Sequence, residues 1–113
     1  MGITPKLVTV TVTTAGTRVQ VTSDTSIRPS AVYFEALSSN TGQIYIGDVT
    51  VSSTVYMARL TIPSTASAPS WQIVSPSSDH RSGGTGIQLS NLYVDSSVNG
   101  EKVQVTYVYN VGA

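Results

Sequence analysis

Alternation of apolar and hydroxylated residues with a period of two constrains this chain more than any other feature of its sequence. Valine and threonine alternate three times in succession over residues 8–13. Successive side chains of a β-strand point to opposite faces, so such a segment has one apolar side and one polar side. No segment repeats apolar residues at helical spacing over three turns. The pattern therefore predicts an all-β protein without substantial helix.

About eight segments follow this pattern, and turn residues separate them. They lie at residues 8–12, 19–21, 32–36, 44–46, 56–62, 73–74, 92–94 and 103–109. Asn99-Gly100 is the strongest hairpin signal, because both residues tolerate positive φ, and we expect residues 94–103 to form a hairpin or a bulged loop. Short strands at this spacing predict a single antiparallel β-sandwich of jelly-roll type across residues 1–113.

The phase of the alternation predicts the core. One residue from each of six strands is expected to face it: Val10, Val21, Phe34, Ile46, Val94 and Val105. Tyr107 and Tyr109 share the apolar face of the last strand. Tyr45 and Tyr93 lie opposite the apolar faces of theirs, where an exposed tyrosine suits a protein contact or stacking on a sugar. Protein contact is favoured, because no companion tryptophan or acid cluster indicates a sugar site.

Residues 63–86 interrupt the alternation with a long segment rich in Ser, Pro and Gly, in which only residues 71–74 suggest a strand. Long loops in compact domains are usually functional or mobile. Trp71, His80 and Arg81 are therefore candidate contacts with neighbouring chains. In the other interpretation the segment is a surface excursion and Trp71 fills the core of its own sandwich.

Residues 1–5 are expected to form a short extended arm, since little apolar surface is available for them to pack on. Pro5 keeps Thr4 out of a helical conformation. Thr4 and Pro5 are accordingly included in the predicted protein interface.

Low charge limits the possible partners. Charged residues make up 11% of the chain, less than half of the ~25% usual in soluble domains, and six basic residues balance six acidic ones. The basic residues are scattered singly, so nucleic acid, which needs a basic patch, is not an expected partner. The 17 serines and 15 threonines supply hydroxyls that suit packing against neighbours. No apolar run approaches the ~20 residues of a membrane span, and no cysteine is present.

Catalytic chemistry is not predicted. Asp79-His80 lies among many serines, but adjacent residues of an extended chain point in opposite directions and do not form a triad. His80 is the sole histidine, which disfavours a zinc site, and no cofactor motif is present. Asp48 and Asp95 lie at strand ends, where a carboxylate usually caps backbone N–H groups. No catalytic, metal or cofactor residue is assigned.

Four stretches carry a resemblance to a known family. They are residues 15–22 (AGTRVQVT), 40–48 (NTGQIYIGD), 91–95 (NLYVD) and 99–107 (NGEKVQVTY). In this order they resemble small β-rich virion structural proteins of tailed bacteriophages, with residues 15–22 as the family's first hairpin. Residues 63–86 depart from the family, because they are longer than its usual middle loop.

The resemblance implies a capsid decoration, or cement, protein. Such a protein is synthesised in the host cytoplasm, binds the outer surface of the phage head, bridges subunits of the major capsid protein and commonly forms homotrimers. The alternative is a carbohydrate- or receptor-binding module of a phage tail or head fibre. An enzyme is the remote third possibility.

Overall fold

The computed structural model describes residues 2–29, 31–38, 40–61, 70–74 and 88–111. These residues contain eight strands and one 3-10 turn, which covers Leu89–Asn91. The strands are β1 (Gly2–Val12), β2 (Val19–Gln20), β3 (Ala31–Ala36), β4 (Ile44–Gly47), β5 (Ala58–Leu60), β6 (Trp71–Val74), β7 (Tyr93–Ser96) and β8 (Glu101–Val111).

The strands form two antiparallel sheets that enclose one core. Sheet I has the order β1-β8-β3-β6, and sheet II has the order β2-β7-β4-β5. Four of the pairings are symmetric about the middle of the chain: β1 pairs with β8, β2 with β7, β3 with β6 and β4 with β5. The predicted all-β sandwich is confirmed.

Connections between consecutive strands mostly cross from one sheet to the other. The hairpin predicted for residues 94–103 is wrong, because β7 pairs with β2 and β4 whereas β8 pairs with β1 and β3. Its Asn-Gly turn does form, with Gly100 at φ +82°, but the N–H of Gly100 donates to the carbonyl of Val12 at 2.8 Å. The turn at Gly16 likewise leads from sheet I to sheet II, so residues 15–22 are not a hairpin. A turn signal thus marks a chain reversal without selecting the strand that pairs.

The core contains every residue that the alternation predicts for it. Val10, Val21, Phe34, Ile46, Val94 and Val105 are buried in one cluster, to which both sheets contribute. Phe34 is the largest fully buried side chain, and Tyr107 packs against the same cluster. Burial stabilises the sandwich by about 25 cal/mol for each Å² of apolar surface removed from water.

Residues 2–5 belong to β1 and pair with residues 108–111 of β8. Their backbone is extended, as expected, but it forms part of sheet I instead of a separate arm. β1 is an edge strand, which tolerates Pro5 because a proline offers no N–H to a second neighbour. The pairs made by residues 2–4 lie beyond Ala31, where β3 begins, so β1 and β8 extend past the rest of the sheet as a ribbon.

Candidate functional site

The outer face of sheet I carries exposed apolar side chains. Inward-facing residues of its strands form the core, so alternate residues point outward. Among the residues whose side chains are described, those on this face are Leu7, Thr9, Thr11, Ala31, Tyr33, Glu35, Trp71, Ile73, Lys102, Gln104, Thr106 and Val108. Strand register places Leu7, Thr106, Tyr33 and Ile73 in one row across the four strands. Leu7 is 66% exposed and Ile73 is 49% exposed. These two residues lie at opposite edges of the sheet, with the partly buried Thr106 and Tyr33 between them, and exposed apolar side chains on one sheet face suit a binding site.

Trp71 occupies the neighbouring row and is also on this face. Its ring stacks on that of Tyr33, with 6.0 Å between centroids and 26° between planes, and 49% of the residue is exposed. Trp71 pairs with Glu35, whose side chain points outward from β3. The interpretation in which Trp71 fills the core is therefore wrong, although the strand predicted at residues 71–74 is confirmed.

Charge is sparse on the same face. Among the described residues it holds one carboxylate, Glu35, and one ammonium group, Lys102. The Thr9 hydroxyl donates to Gln104 Oε1 at 3.0 Å, and Gln104 Nε2 donates to the carbonyl of Val8 at 3.3 Å, so these polar groups are partly satisfied within the sheet. Covering this face costs little free energy, because few charges would lose their water.

The connection between β4 and β5, residues 48–57, forms a hydrogen-bonded loop. Val51 is buried and its N–H donates to the carbonyl of Asp48 at 3.0 Å. Backbone bonds join Ser52 and Val55 in both directions, at 2.8 and 3.3 Å, and the N–H of Met57 donates to the carbonyl of Ile46 at 2.8 Å. These bonds hold the loop in one conformation against the end of sheet II.

The loop exposes apolar side chains although its backbone is ordered. Val49, Val55, Tyr56 and Met57 are each between 40% and 52% exposed. A cleft of about 250 Å³ lies in this loop and is lined by Gly47, Asp48, Thr50, Val55, Tyr56 and Met57. The strand predicted from residue 56 begins only at Ala58, because Tyr56 and Met57 belong to this loop.

Tyr45, predicted to be exposed on the outer face of sheet II, is instead buried, with 5% of its surface accessible. Tyr56 stacks on it, with 5.4 Å between ring centroids, and the Tyr45 hydroxyl donates to Gln43 Oε1 at 3.1 Å. The loop therefore covers a residue that the alternation assigns to solvent. Tyr93, on the same face, is half-buried.

Asp48 anchors the start of the loop, as predicted for a strand-end carboxylate. Its Oδ1 accepts hydrogen bonds from the hydroxyl and from the N–H of Thr50. These bonds, and more weakly the charge of Arg18, stabilise the carboxylate and lower the pKa of Asp48 below its ordinary value of 3.8.

Described residues of three connections meet at the opposite end of the sandwich, which we call the crossing end: residues 13–18, residues 37–38 with 40–43, and residues 97–100. Asp95 is buried there, and its Oδ1 accepts from the N–H groups of Gly16 and Ser96 at 2.9 and 2.8 Å, as predicted for a capping carboxylate. Asn40 is buried as well; its amide accepts from the N–H of Lys102 and donates to the carbonyl of the same residue.

Glu101 completes the crossing end. Its buried carboxylate accepts from the N–H of Thr41 at 3.0 Å and from that of Gly42 at 2.5 Å. Gly42 approaches the next connection so closely that an added Cβ would lie 2.5 Å from the hydroxyl of Ser97. The carboxylates of this end are thus occupied by the protein's own backbone and are arranged to hold loops together.

The structure distributes the predicted interface residues unevenly. Trp71 lies on the outer face of sheet I, and Thr4 and Pro5 lie in β1 of the same sheet. His80 and Arg81 fall outside the described residues, as does Asp79, so their predicted roles stay predictions. The alternation missed Leu7. This apolar residue lies on the same side of β1 as the threonines, and the sequence alone could have shown it to be out of pattern. The alternation also missed Val55, which lies outside the predicted strands, and Met57, which lies in the predicted strand 56–62 but opposite its apolar side.

Within the described residues, no three His, Cys, Asp or Glu side chains lie close enough together to hold a metal ion. None of the helical residues described forms a segment long and apolar enough to cross a membrane. Comparisons with family models, curated proteins and solved structures find no significant match to this chain. The resemblance to phage virion proteins therefore stays a prediction, and function is argued from the surfaces.

Proposed function

We propose that this chain is a non-enzymatic structural protein that binds other protein chains and decorates the outer surface of a bacteriophage capsid. The observation that carries the proposal is the outer face of sheet I, where Leu7, Trp71 and Ile73 are exposed and only Glu35 and Lys102 are charged among the described residues. The buried centres of protein interfaces are enriched in aromatic residues and depleted of charge. The resemblance of residues 15–22, 40–48, 91–95 and 99–107 supplies the partner, the major capsid protein.

The strand order supports the same proposal. Pairing of first with last, second with seventh, third with sixth and fourth with fifth is what a hairpin wound into two Greek keys produces, and we infer a jelly roll. Jelly rolls occur in viral capsid domains and in lectins, so the fold suits both candidate functions and selects neither.

In this role the protein acts mechanically. Each copy, as part of a homotrimer on the virion surface, bridges neighbouring capsid subunits and opposes the outward pressure of packaged DNA. Weak individual contacts suffice, because copies clustered on a lattice have a high effective concentration for one another.

Co-sedimentation with purified tail-less heads and with purified tails of the phage that encodes the chain tests the proposal. We expect the parent to bind heads but not tails, and Trp71→Ser/Ile73→Ser to bind heads at least about tenfold more weakly. Ser23→Ala/Thr25→Ala, which changes exposed residues on another part of the surface, is the matched control. Binding to tails alone, or undiminished head binding by the first variant, contradicts the proposal.

A carbohydrate-binding module is the second candidate, and the cleft of the 48–57 loop favours it. Tyr56 offers a ring face and Asp48 a carboxylate within one cleft, a combination that suits a sugar. Screening the parent and Tyr56→Ala against immobilised glycans tests this function. Glycan binding that the substitution abolishes, together with no binding to heads, selects the second candidate over the first.

A further inference from the structure

Asn99-Gly100, in the turn that leads into β8, is the one place where an asparagine of this chain precedes a glycine. The sequence has four asparagines, and Thr41, Leu92 and Val111 follow the other three. The backbone nitrogen of the next residue can attack an asparagine amide, and glycine, which has no Cβ, leaves that nitrogen unhindered. We propose that Asn99 is a deamidation site, which the closed crossing end protects and which reacts when this end opens.

The reaction needs no reagent besides water. The Gly100 nitrogen bonds to Cγ of Asn99 and gives up its proton, the bond from Cγ to the side-chain nitrogen breaks, and ammonia leaves with that proton. The resulting succinimide ring takes up one water molecule. Hydrolysis at one of its carbonyls gives aspartate, and hydrolysis at the other gives isoaspartate, in which the backbone runs through the former side chain.

Hydrogen bonds hold both reacting groups in the closed structure. The N–H of Gly100 donates to the carbonyl of Val12 at 2.8 Å, so the attacking nitrogen is engaged with β1. The N–H of Ala15 donates to Asn99 Oδ1 at 2.8 Å, which fixes the amide that would be attacked. Because the attack requires the Gly100 nitrogen to lose its proton and approach Cγ, the two hydrogen bonds must open before the ring can close.

Burial does not protect this site. Asn99 and Gly100 are both exposed, so water reaches the amide in the folded protein. The rate of deamidation therefore depends on how often the crossing end opens, as the exchange of a protected backbone N–H does. Isoaspartate adds one backbone atom to the turn, which displaces Gly100 relative to Val12. A transient opening is thus converted into a permanent change of the chain.

Mass spectrometry of the full chain, incubated folded and unfolded in urea at one mildly alkaline pH, tests the proposal. Deamidation raises the mass, and fragmentation of peptides assigns the position and identifies isoaspartate. We expect Asn99 to react at least about tenfold more slowly in the folded chain, because two hydrogen bonds must open first. In urea it should react faster than the other three asparagines. Equal rates at Asn99 in the folded and unfolded chains overturn the proposal.

Ala15→Pro distinguishes the two hydrogen bonds from the fold as a whole. The N–H of Thr17 donates to the carbonyl of Thr14 at 3.0 Å, and Gly16 has φ +88°. Ala15, whose φ is not positive, is therefore the second residue of a type II turn, a position that favours proline. The substitution suits this turn and removes the N–H that holds Asn99 Oδ1. Ala15→Ser, which keeps the N–H, is the matched control.

Folded Ala15→Pro should deamidate at Asn99 at least about threefold faster than the parent, because one of the two hydrogen bonds is gone. Folded Ala15→Ser should react at the parent's rate, and in urea all three chains should react alike. Chemical denaturation measures the folded fraction of each chain. An unchanged rate in folded Ala15→Pro, or an equal increase in Ala15→Ser, contradicts the proposal. If Ala15→Pro does not fold, the comparison of folded with unfolded parent still decides.

Discussion

The crossing end and the 48–57 loop lie at opposite ends of the sandwich and reverse the usual relation between polarity and burial. At the crossing end, Asp95 and Glu101 are buried, and their carboxylates accept backbone hydrogen bonds. In the 48–57 loop, Val55 and Met57 are about half exposed. Both regions are held by internal hydrogen bonds, so disorder does not explain the difference.

The comparison indicates different roles for the two ends. A buried carboxylate is stable only when its oxygens are satisfied, so the crossing end uses Glu101 and Asp95 to fix three connections in place. Apolar groups held at the surface of an ordered loop contribute little to folding, because they stay in water. They become favourable when another molecule covers them. We therefore interpret the crossing end as structural and the 48–57 loop as a surface whose exposed apolar side chains contribute little to folding.

Among the predictions, the largest loss of unfolding free energy is expected in the core. Phe34→Ala removes the largest fully buried side chain and leaves a cavity, which should lower the free energy of unfolding by about 3–5 kcal/mol. Chemical denaturation measures the change. A variant as stable as the parent would show that β3 does not face the core as described.

Glu101→Ala should have the next largest effect, because it leaves the N–H groups of Thr41 and Gly42 without their acceptor. We expect a loss of about 1–3 kcal/mol in unfolding free energy. Glu101→Gln, which keeps one acceptor oxygen, should recover part of this loss. Glu35→Ala removes an exposed carboxylate from sheet I and should change stability by less than about 0.5 kcal/mol. If Glu101→Ala and Glu35→Ala lowered the free energy of unfolding equally, the structural role of the crossing end would be contradicted.

Val55→Ser/Met57→Ser should change the free energy of unfolding by less than about 1 kcal/mol, since about half of each residue already lies in water. Thermal melts of parent and variant make the measurement. A loss comparable with that of Glu101→Ala would mean that the loop stabilises the fold, and the contrast between the two ends would fail.

The smallest expected effect is electrostatic. Bonds from Thr50 lower the pKa of Asp48, and a similar pair from Ser26 lowers that of Asp24, relative to 3.8 in both cases. A lowered native pKa means that the stabilisation is present above about pH 3.8 and is lost as pH falls through the native value. Carboxyl titration by NMR should show the Asp48 pKa rising toward 3.8 in Thr50→Val, while Asp24 is unchanged. Ser26→Ala is the reciprocal control, and a Thr50→Val variant with an unchanged Asp48 pKa contradicts this account.

Much of the fold was predictable from local pattern. The phase of alternation identified six core residues correctly, because burial on one side of a strand imposes a period of two on the chain itself. Asp48 and Asp95 were identified as caps because short carboxylates bond nearby backbone N–H groups. Tyr45 was misassigned, since the same alternation cannot show that residues 48–57 return to cover the outer side of β4.

Sequence alone thus determined the class of the fold, the approximate positions of the strands, and the side of each strand that faces the core, since these follow from the chemistry of neighbouring residues; it did not show that β4 is buried on both sides. Tertiary structure decided which strands pair, as the 97–100 turn shows by joining β7 of one sheet to β8 of the other. It also decided which apolar residues remain in water: Leu7 is far in sequence from Trp71 and Ile73, and it shares one sheet face with them only through the register of β1, β8, β3 and β6. Long-range pairing is selected by the burial of the whole core, and no local segment contains that information.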